Sequence, residues 1–330
     1  MAQVKLCAIS LFAAASFGAD TTSAIETDPE INAIAAFQAK DQLLQNVGWK
    51  IAHGNAAFCD NVIPSIGLQL QDLASYGDPE VARAAFGLKG DFAVQTAARG
   101  SPSALSGYFR TNREISRLGA QDPNAWETEK RMAWQRLTRA HDFVDEALAK
   151  TGAISVRFAD GETTTVQAKP ACATRFELAS RNSKAVAEGK RVVVGEKFVG
   201  FSYSEEIFAG AVAHELAHNL LGHRAWLDRN KRKRRHIRLT EREADRLMPW
   251  LMANAGYDPQ SAVTFMETWG PKHDGGLFRS RTHDGWDERA EFIAAELPQI
   301  AELMKATGNA DWSVHFRREI DPDQGLDQEQ

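Results

Sequence analysis

Apolar residues recur at helical spacing across residues 26–54, with Ile31, Ile34, Ala35, Leu43, Leu44, Val47 and Ile51 as the inward set. The pattern predicts one long helix ending near Gly54, just before Cys59. A glycine-rich turn then leads into a strand over residues 91–96. Residues 131–148 predict an amphipathic helix, with Trp134, Leu137, Ala140, Phe143, Val144 and Leu148 on one side. From Ile154 the pattern becomes strand, Asp160-Gly161 turn and second strand. Two helical stretches follow. Residues 206–223 are largely apolar. From Thr240 a second stretch carries Leu247, Met248, Leu251 and Met252 on one face and stops at Asn254 and Gly256.

The first of those stretches contains His214-Glu215-Leu216-Ala217-His218. Histidines four apart differ by about 40° around a helix, so both imidazoles point to one side. Such a pair can hold one Zn²⁺, and the glutamate between them is placed to take a proton from water held there. The three fixed residues arise by chance in roughly one chain of this length in a hundred. A second motif in the right place therefore matters more than the first alone.

A catalytic zinc takes three protein ligands and keeps one position open. On the second stretch, Thr240-Glu241-Arg242-Glu243-Ala244-Asp245, Glu241 and Asp245 share a face, and Glu243 points about 200° from Glu241. Glu241 is the expected third ligand, and Asp245 the partner that orients a ligand histidine. Thr240 and Glu243 read as a capping box at the helix start. If the helix starts earlier, that argument fails and Glu243 becomes the rival ligand. On a continuous helix His223 lies about 180° from His214 and reads as a helix C-terminal residue favoured by the macrodipole.

HELAH followed by E-x-x-x-D resembles the M48 family of zinc metallopeptidases over residues 184–297. The resemblance implies a zincin-type fold: an active-site helix, a ligand helix and an upstream strand that receives peptide. Residues 183–208 resemble the family's hairpin leading into the active-site helix. Arg281-Thr282-His283-Asp284 with Asp287-Glu288-Arg289 resembles its S/R-T-H-P…E-R segment, with Asp284 standing where proline is usual. The resemblance implies roles for His283, as an extra or regulatory ligand or a hydrogen-bond donor to the reaction intermediate, and for Arg289, as an oxyanion or substrate-carbonyl contact. It implies Glu215 as general base and a polypeptide substrate added as a strand near Ser183–Ala187.

The stretch around Gly100-Ser-Pro-Ser-Ala-Leu-Ser-Gly107, with the helix and hairpin after it, resembles a PDZ domain. Gly87-Leu-Lys-Gly90 stands loosely where such a domain binds a terminal carboxylate, and Thr111–Ile115 departs from the usual Gly-Asp-x-Ile. A groove beside a strand there would admit a peptide. The expected fold class is α+β: a mainly helical zincin-type domain with a small hairpin or sheet, plus a PDZ-like β-rich domain after an N-terminal helix. The expected boundaries are 1–24 leader, 25–74 helical segment on the peptidase unit, 75–170 PDZ-like, 171–310 peptidase and 311–330 polar tail.

Compartment changes the picture next. Lys5 precedes about 14 apolar residues, too few to span a bilayer, so residues 1–24 read as a secretory signal peptide. Export, to the periplasm foremost, with a secreted or membrane-tethered form as alternatives, leaves Cys59 and Cys172. An even count in an exported chain predicts one disulfide. The net charge is −5. Against it stands the basic run at residues 230–239, read as a solvated loop, with anionic lipid head groups as the sharper option. Nucleic acid is not an expected partner. The sequence thus predicts an exported zinc endopeptidase acting on extended or misfolded polypeptide. The alternative is a chaperone-like peptide-binding factor with a gated or silent zinc site.

Overall fold

Proline at the first position and glycine at the last bound a 26-residue helix, α1 (Pro29–Gly54). Proline suits a helix start because the N–H it lacks has no helical partner there. Leu44, Val47 and Ile51 recur at helical spacing and are wholly buried. Gly48 sits among them because the Phe176 ring packs against the bare backbone; a Cβ there would lie 2.5 Å from ring carbons. The structure, a computed structural model, describes residues 29–128, 134–180, 182–273 and 284–320. The expected leader, His283 and the end of the tail lie outside the described residues.

Helix α1 borders two hydrophobic cores. One is built on strands from the middle of the chain. β1 (Val62–Ser65) leads into β2 (Leu68–Asp72), and β2 pairs antiparallel with β3 (Phe92–Ala97). Between them lies α2 (Pro79–Phe86), and after β3 comes α3 (Pro102–Ser106), capped by the Ser101 side chain and ended by Gly107. β4 (Ile115–Leu118) pairs antiparallel with β5 (Ala153–Phe158), which pairs with β6 (Thr163–Gln167). The β5–β6 hairpin turns at Gly161, whose φ of 92° is open to glycine. α4 (Gln135–Thr151) closes this core with Ala140, Val144 and Leu148. β2 and β3 form a sheet of their own, and Leu70 of β2 joins this core.

β7 (Lys169–Cys172) returns to pair antiparallel with β1, and the Cys59–Cys172 disulfide ties this pair to the chain just after α1. The predicted bridge is therefore present.

The second core carries the sheet β8 (Arg175–Ala179), β10 (Arg191–Gly195), β9 (Ala185–Ala187), in that spatial order. β8 runs parallel to β10 and β9 antiparallel to it. α5 (Glu205–Leu220) packs against it, α7 (Arg234–Asn254) and α8 (Gln260–His273) pack on α5, and α9 (Trp286–Thr307) packs on α7 and α8. Overall, helix takes 54% and strand 18%, a mixed fold compatible with the α+β class.

Three expectations fail here. The basic run is not an open loop throughout: α6 (His223–Arg229) precedes it, Lys231 and Arg232 turn the chain with φ of 58° and 45°, and α7 starts at Arg234. Thr240 is therefore mid-helix and buried, donating to the Ile237 carbonyl at 2.8 Å, and the capping box does not form. Nor are residues 311–320, the described part of the expected polar tail, polar and exposed throughout. α10 (Trp312–His315) and the strap to Ile320 fold back, burying Trp312, Phe316 and Ile320.

Candidate metal centre

Alanines at positions 209, 211, 213 and 217, together with the Ser204 cap, whose hydroxyl accepts from the Ile207 N–H, favour helix through α5. Its spacing puts His214 and His218 on one side, facing α7. There Glu241 and Asp245, also four apart, face back. Three side chains converge. His214 Nε2 lies 3.2 Å from His218 Nε2. The Glu241 carboxylate lies 3.5 Å from each of those nitrogens. Two donors held about 2.0–2.1 Å from one ion at the tetrahedral angle stand about 3.3 Å apart. The cluster His214, His218, Glu241 has that spacing and could hold a small cation.

Each of the two histidines has a different backing. His214 Nδ1 lies 3.0 Å from Asp245 Oδ1, in a bent contact that makes no well-directed hydrogen bond. Asp245, wholly buried, is held by Arg289 through two bonds of 2.6 and 2.9 Å. Burial opposes a charge on His214, but Asp245 and Glu241 outweigh it and raise its pKa to about 10. His218 is the opposite case: burial dominates and its pKa falls to about 3. Its Nδ1 meets His223 Nδ1 at 2.9 Å, and His223 Nε2 meets Glu243 Oε2 at 3.0 Å. Burial works to raise the Glu243 pKa, yet hydrogen bonds from His223, Arg318 and the Ile320 N–H hold it near 2.

Glu215 sits between the two histidines on α5, beneath the sheet edge. Its carboxylate takes a hydrogen bond from the Ala187 N–H of β9, and burial pushes its pKa to about 7, with His214 lowering it and Glu241 raising it to a smaller extent. In β9 the residues bonded to β10 are the even ones: the Gly195 N–H donates to the Lys184 carbonyl and the Glu188 N–H to the Arg191 carbonyl, each at 2.8 Å. Ala185 and Ala187 therefore turn their backbone groups to the open edge, above Glu215.

The structure brings together His214, Glu215, His218, Glu241 and Asp245. Arg289 is placed differently from its expected contact with substrate: it is buried on Asp245, and its nearest approach to Glu241 is 3.8 Å. Asp284 accepts from Arg242 at 2.9 Å.

The sequence reading named His223 and Glu243 but placed them elsewhere, His223 at the C-terminus of a helix and Glu243 in a capping box or as a rival ligand. It treated residues 206–223 as one helix. The helix ends at Leu220, and Gly222, with φ of 68°, turns the chain so that His223 starts α6 beside His218. A glycine just past an apolar helical run was the available signal. Glu241 faces the cluster and Glu243 faces the strap, so the spacing argument holds although the capping argument behind it does not.

A second cavity, of about 840 Å³, lies between the edge strand β2 and α4, with α1 and β8 as further walls. His141 on α4 accepts the Leu70 N–H of β2 at 3.4 Å. The Gly87–Gly90 turn is occupied within the chain: the Lys89 and Gly90 N–H groups donate to the Glu114 carboxylate, each at 2.9 Å. In comparisons with known proteins, the chain matches no family model, no curated protein and no solved structure.

Proposed function

We propose that this chain is a zinc-dependent endopeptidase of the M48 type that hydrolyses extended polypeptide. The observation that carries the reading is the convergence of His214 Nε2, His218 Nε2 and Glu241 at 3.2 to 3.5 Å, with Glu215 beside them and an open strand edge above. Two imidazoles and one carboxylate form the donor set of a catalytic zinc site with one position left free. When bound, the metal supplies Lewis-acid polarisation of a carbonyl and acidification of a water molecule. His214, His218 and Glu241 would hold it. Glu215 takes a proton from the attacking water at its carboxylate and returns it to the leaving amine. Ala185, through its N–H and carbonyl, and the Ala187 carbonyl offer backbone groups to an extended chain, which then crosses the site as an added strand. A compact substrate lacks such a free strand, so flexible or misfolded polypeptide fits best.

Export is part of the reading. The disulfide suits an oxidising compartment, the periplasm first among them. No helix among the described residues is long and apolar enough to cross a membrane. The exposed run Lys231-Arg232-Lys233-Arg234-Arg235 supports peripheral contact with an anionic lipid surface.

One observation favours a second reading. The cavity between β2 and α4 suits an extended peptide, as in a PDZ-like unit, and a peptide-binding quality-control factor would need it without hydrolysis. Casein digestion by the zinc-loaded protein and by Glu215→Gln separates the two. The endopeptidase requires cleavage by the wild type and none by the variant at equal zinc content. Absence of cleavage by both, with zinc bound, supports the second reading.

A further inference from the structure

His218 shows one ring nitrogen to the metal cluster and the other to His223. A histidine that gives Nε2 to a metal keeps its proton on Nδ1. The His218 Nδ1–H therefore donates across the 2.9 Å gap, and His223 Nδ1 accepts. That fixes His223 in the tautomer protonated at Nε2, which donates to Glu243 Oε2 at 3.0 Å. Glu243 must be an ionised acceptor for this order to hold. Its other partners are all donors from the C-terminal strap: Arg318 Nη2 at 2.9 Å, the Glu319 N–H at 2.6 Å and the Ile320 N–H at 2.8 Å. Every proton in the chain from His218 to the strap has one consistent position.

The links are shielded and anchored. His223 and Glu243 are 1% and 0% exposed. Ile320 packs with Trp226 and Leu227 of α6, and Glu319 pairs with Arg242 and Arg246 of α7. The strap thus bridges α6 and α7 behind the ligand histidine. None of these residues belongs to the ligand set, and a buried carboxylate that meets only strap donors and one histidine has no other evident partner to serve.

We infer that His223 and Glu243 are positioning residues for His218, and that residues 318–320 form a C-terminal latch that must dock for the metal site to keep its shape. This rests on the metal-site reading above. A residue that orients a ligand histidine typically changes metal affinity by about 10- to 100-fold when removed.

The test is Zn²⁺ affinity, measured by competition with a chromophoric chelator on the full chain, alongside thermal melts with and without Zn²⁺. His223→Phe keeps a ring but has no acceptor, and is expected to weaken affinity about 10- to 100-fold. His223→Asn, with an oxygen near the Nδ1 position, should recover part of that loss. Arg318→Ala, at a side chain 27% exposed, should weaken affinity to a smaller degree and shrink the zinc-induced rise in Tm, in addition to any fall in the metal-free Tm. A purely structural role would instead lower both Tm values together. Zinc affinity of His223→Phe within about twofold of wild type overturns the latch; if that variant does not fold, unchanged affinity in Arg318→Ala overturns it. A wild type that takes up no zinc overturns the metal-site reading, and the latch with it.

Discussion

Arg289 grips Asp245 with two bonds, 2.6 and 2.9 Å long, and both groups are buried behind His214. The pair joins α9 to α7 and sits one layer away from the cluster of His214, His218 and Glu241. An arginine working on substrate would face open space; this one faces a wholly buried carboxylate.

Replacing Arg289 should therefore be felt in stability. Arg289→Met leaves a buried carboxylate without its partner, and removing one half of such a pair costs about 3–5 kcal/mol. Urea unfolding of the metal-free protein reads this directly. A variant with native stability and a loss confined to kcat would return Arg289 to the substrate side.

The strand edge makes a second expectation. The Ala185 N–H points away from β10, so proline there removes no bond within the sheet. Ala185→Pro should fold, bind zinc normally and cleave extended peptides about 3- to 10-fold more slowly in kcat/KM, the worth of about one hydrogen bond. Equal kcat/KM would show that substrate does not pair at β9.

Asp41 gives the pH dependence. It lies 3% exposed on α1, accepting amide hydrogen bonds from Gln45 at 3.0 Å and Gln95 at 3.1 Å. Burial raises its pKa from 3.8 to about 6, and the two hydrogen bonds offset this only in part. A folded pKa above the unfolded one means that the protonated form is the one folding favours. The contribution is full below pH 3.8 and is lost as pH rises through about 6. Asp41→Asn removes that dependence. Its stability relative to wild type should improve by about 2 kcal/mol between pH 4.5 and pH 8. Parallel urea titrations at the two pH values check it, and an unchanged difference would remove Asp41 from the account.

The disulfide closes a loop across a sequence separation of 113 residues. By the chain-entropy argument its loss costs up to about 4–5 kcal/mol. The double substitution Cys59→Ser with Cys172→Ser should lower the urea midpoint by a corresponding amount, and reductant should shift the wild type toward it. Strands β1 and β7 are expected to lose most amide-exchange protection, since the bridge adjoins their pairing.

Much of the site was legible in the chain because helical spacing is local. His214 and His218 share a face whatever surrounds them, and so do Glu241 and Asp245. The same local logic gave the Asp160-Gly161 hairpin and the end of α1 at Gly54. It failed where continuity was assumed. A helix read through Gly222 carried His223 to the wrong side, and a helix started at Thr240 gave Glu243 a cap to make. The start of α7 was hidden because Lys231 to Arg238 looks like a solvated charge run. Yet His236 within it is wholly buried, its Nδ1 2.8 Å from the Asn230 carbonyl.

By itself, then, the sequence determined which side chains could meet one ion: periodicity along a single helix needs no partner to be read. Only the tertiary structure decided what stands behind them. Arg289 is 44 residues from Asp245, and Arg318 is 75 from Glu243. No pattern of neighbours along the chain encodes such pairs. They exist because α9 and the C-terminal strap pack against α7, where a buried carboxylate must find a charge or a donor and the nearest one in space supplies it.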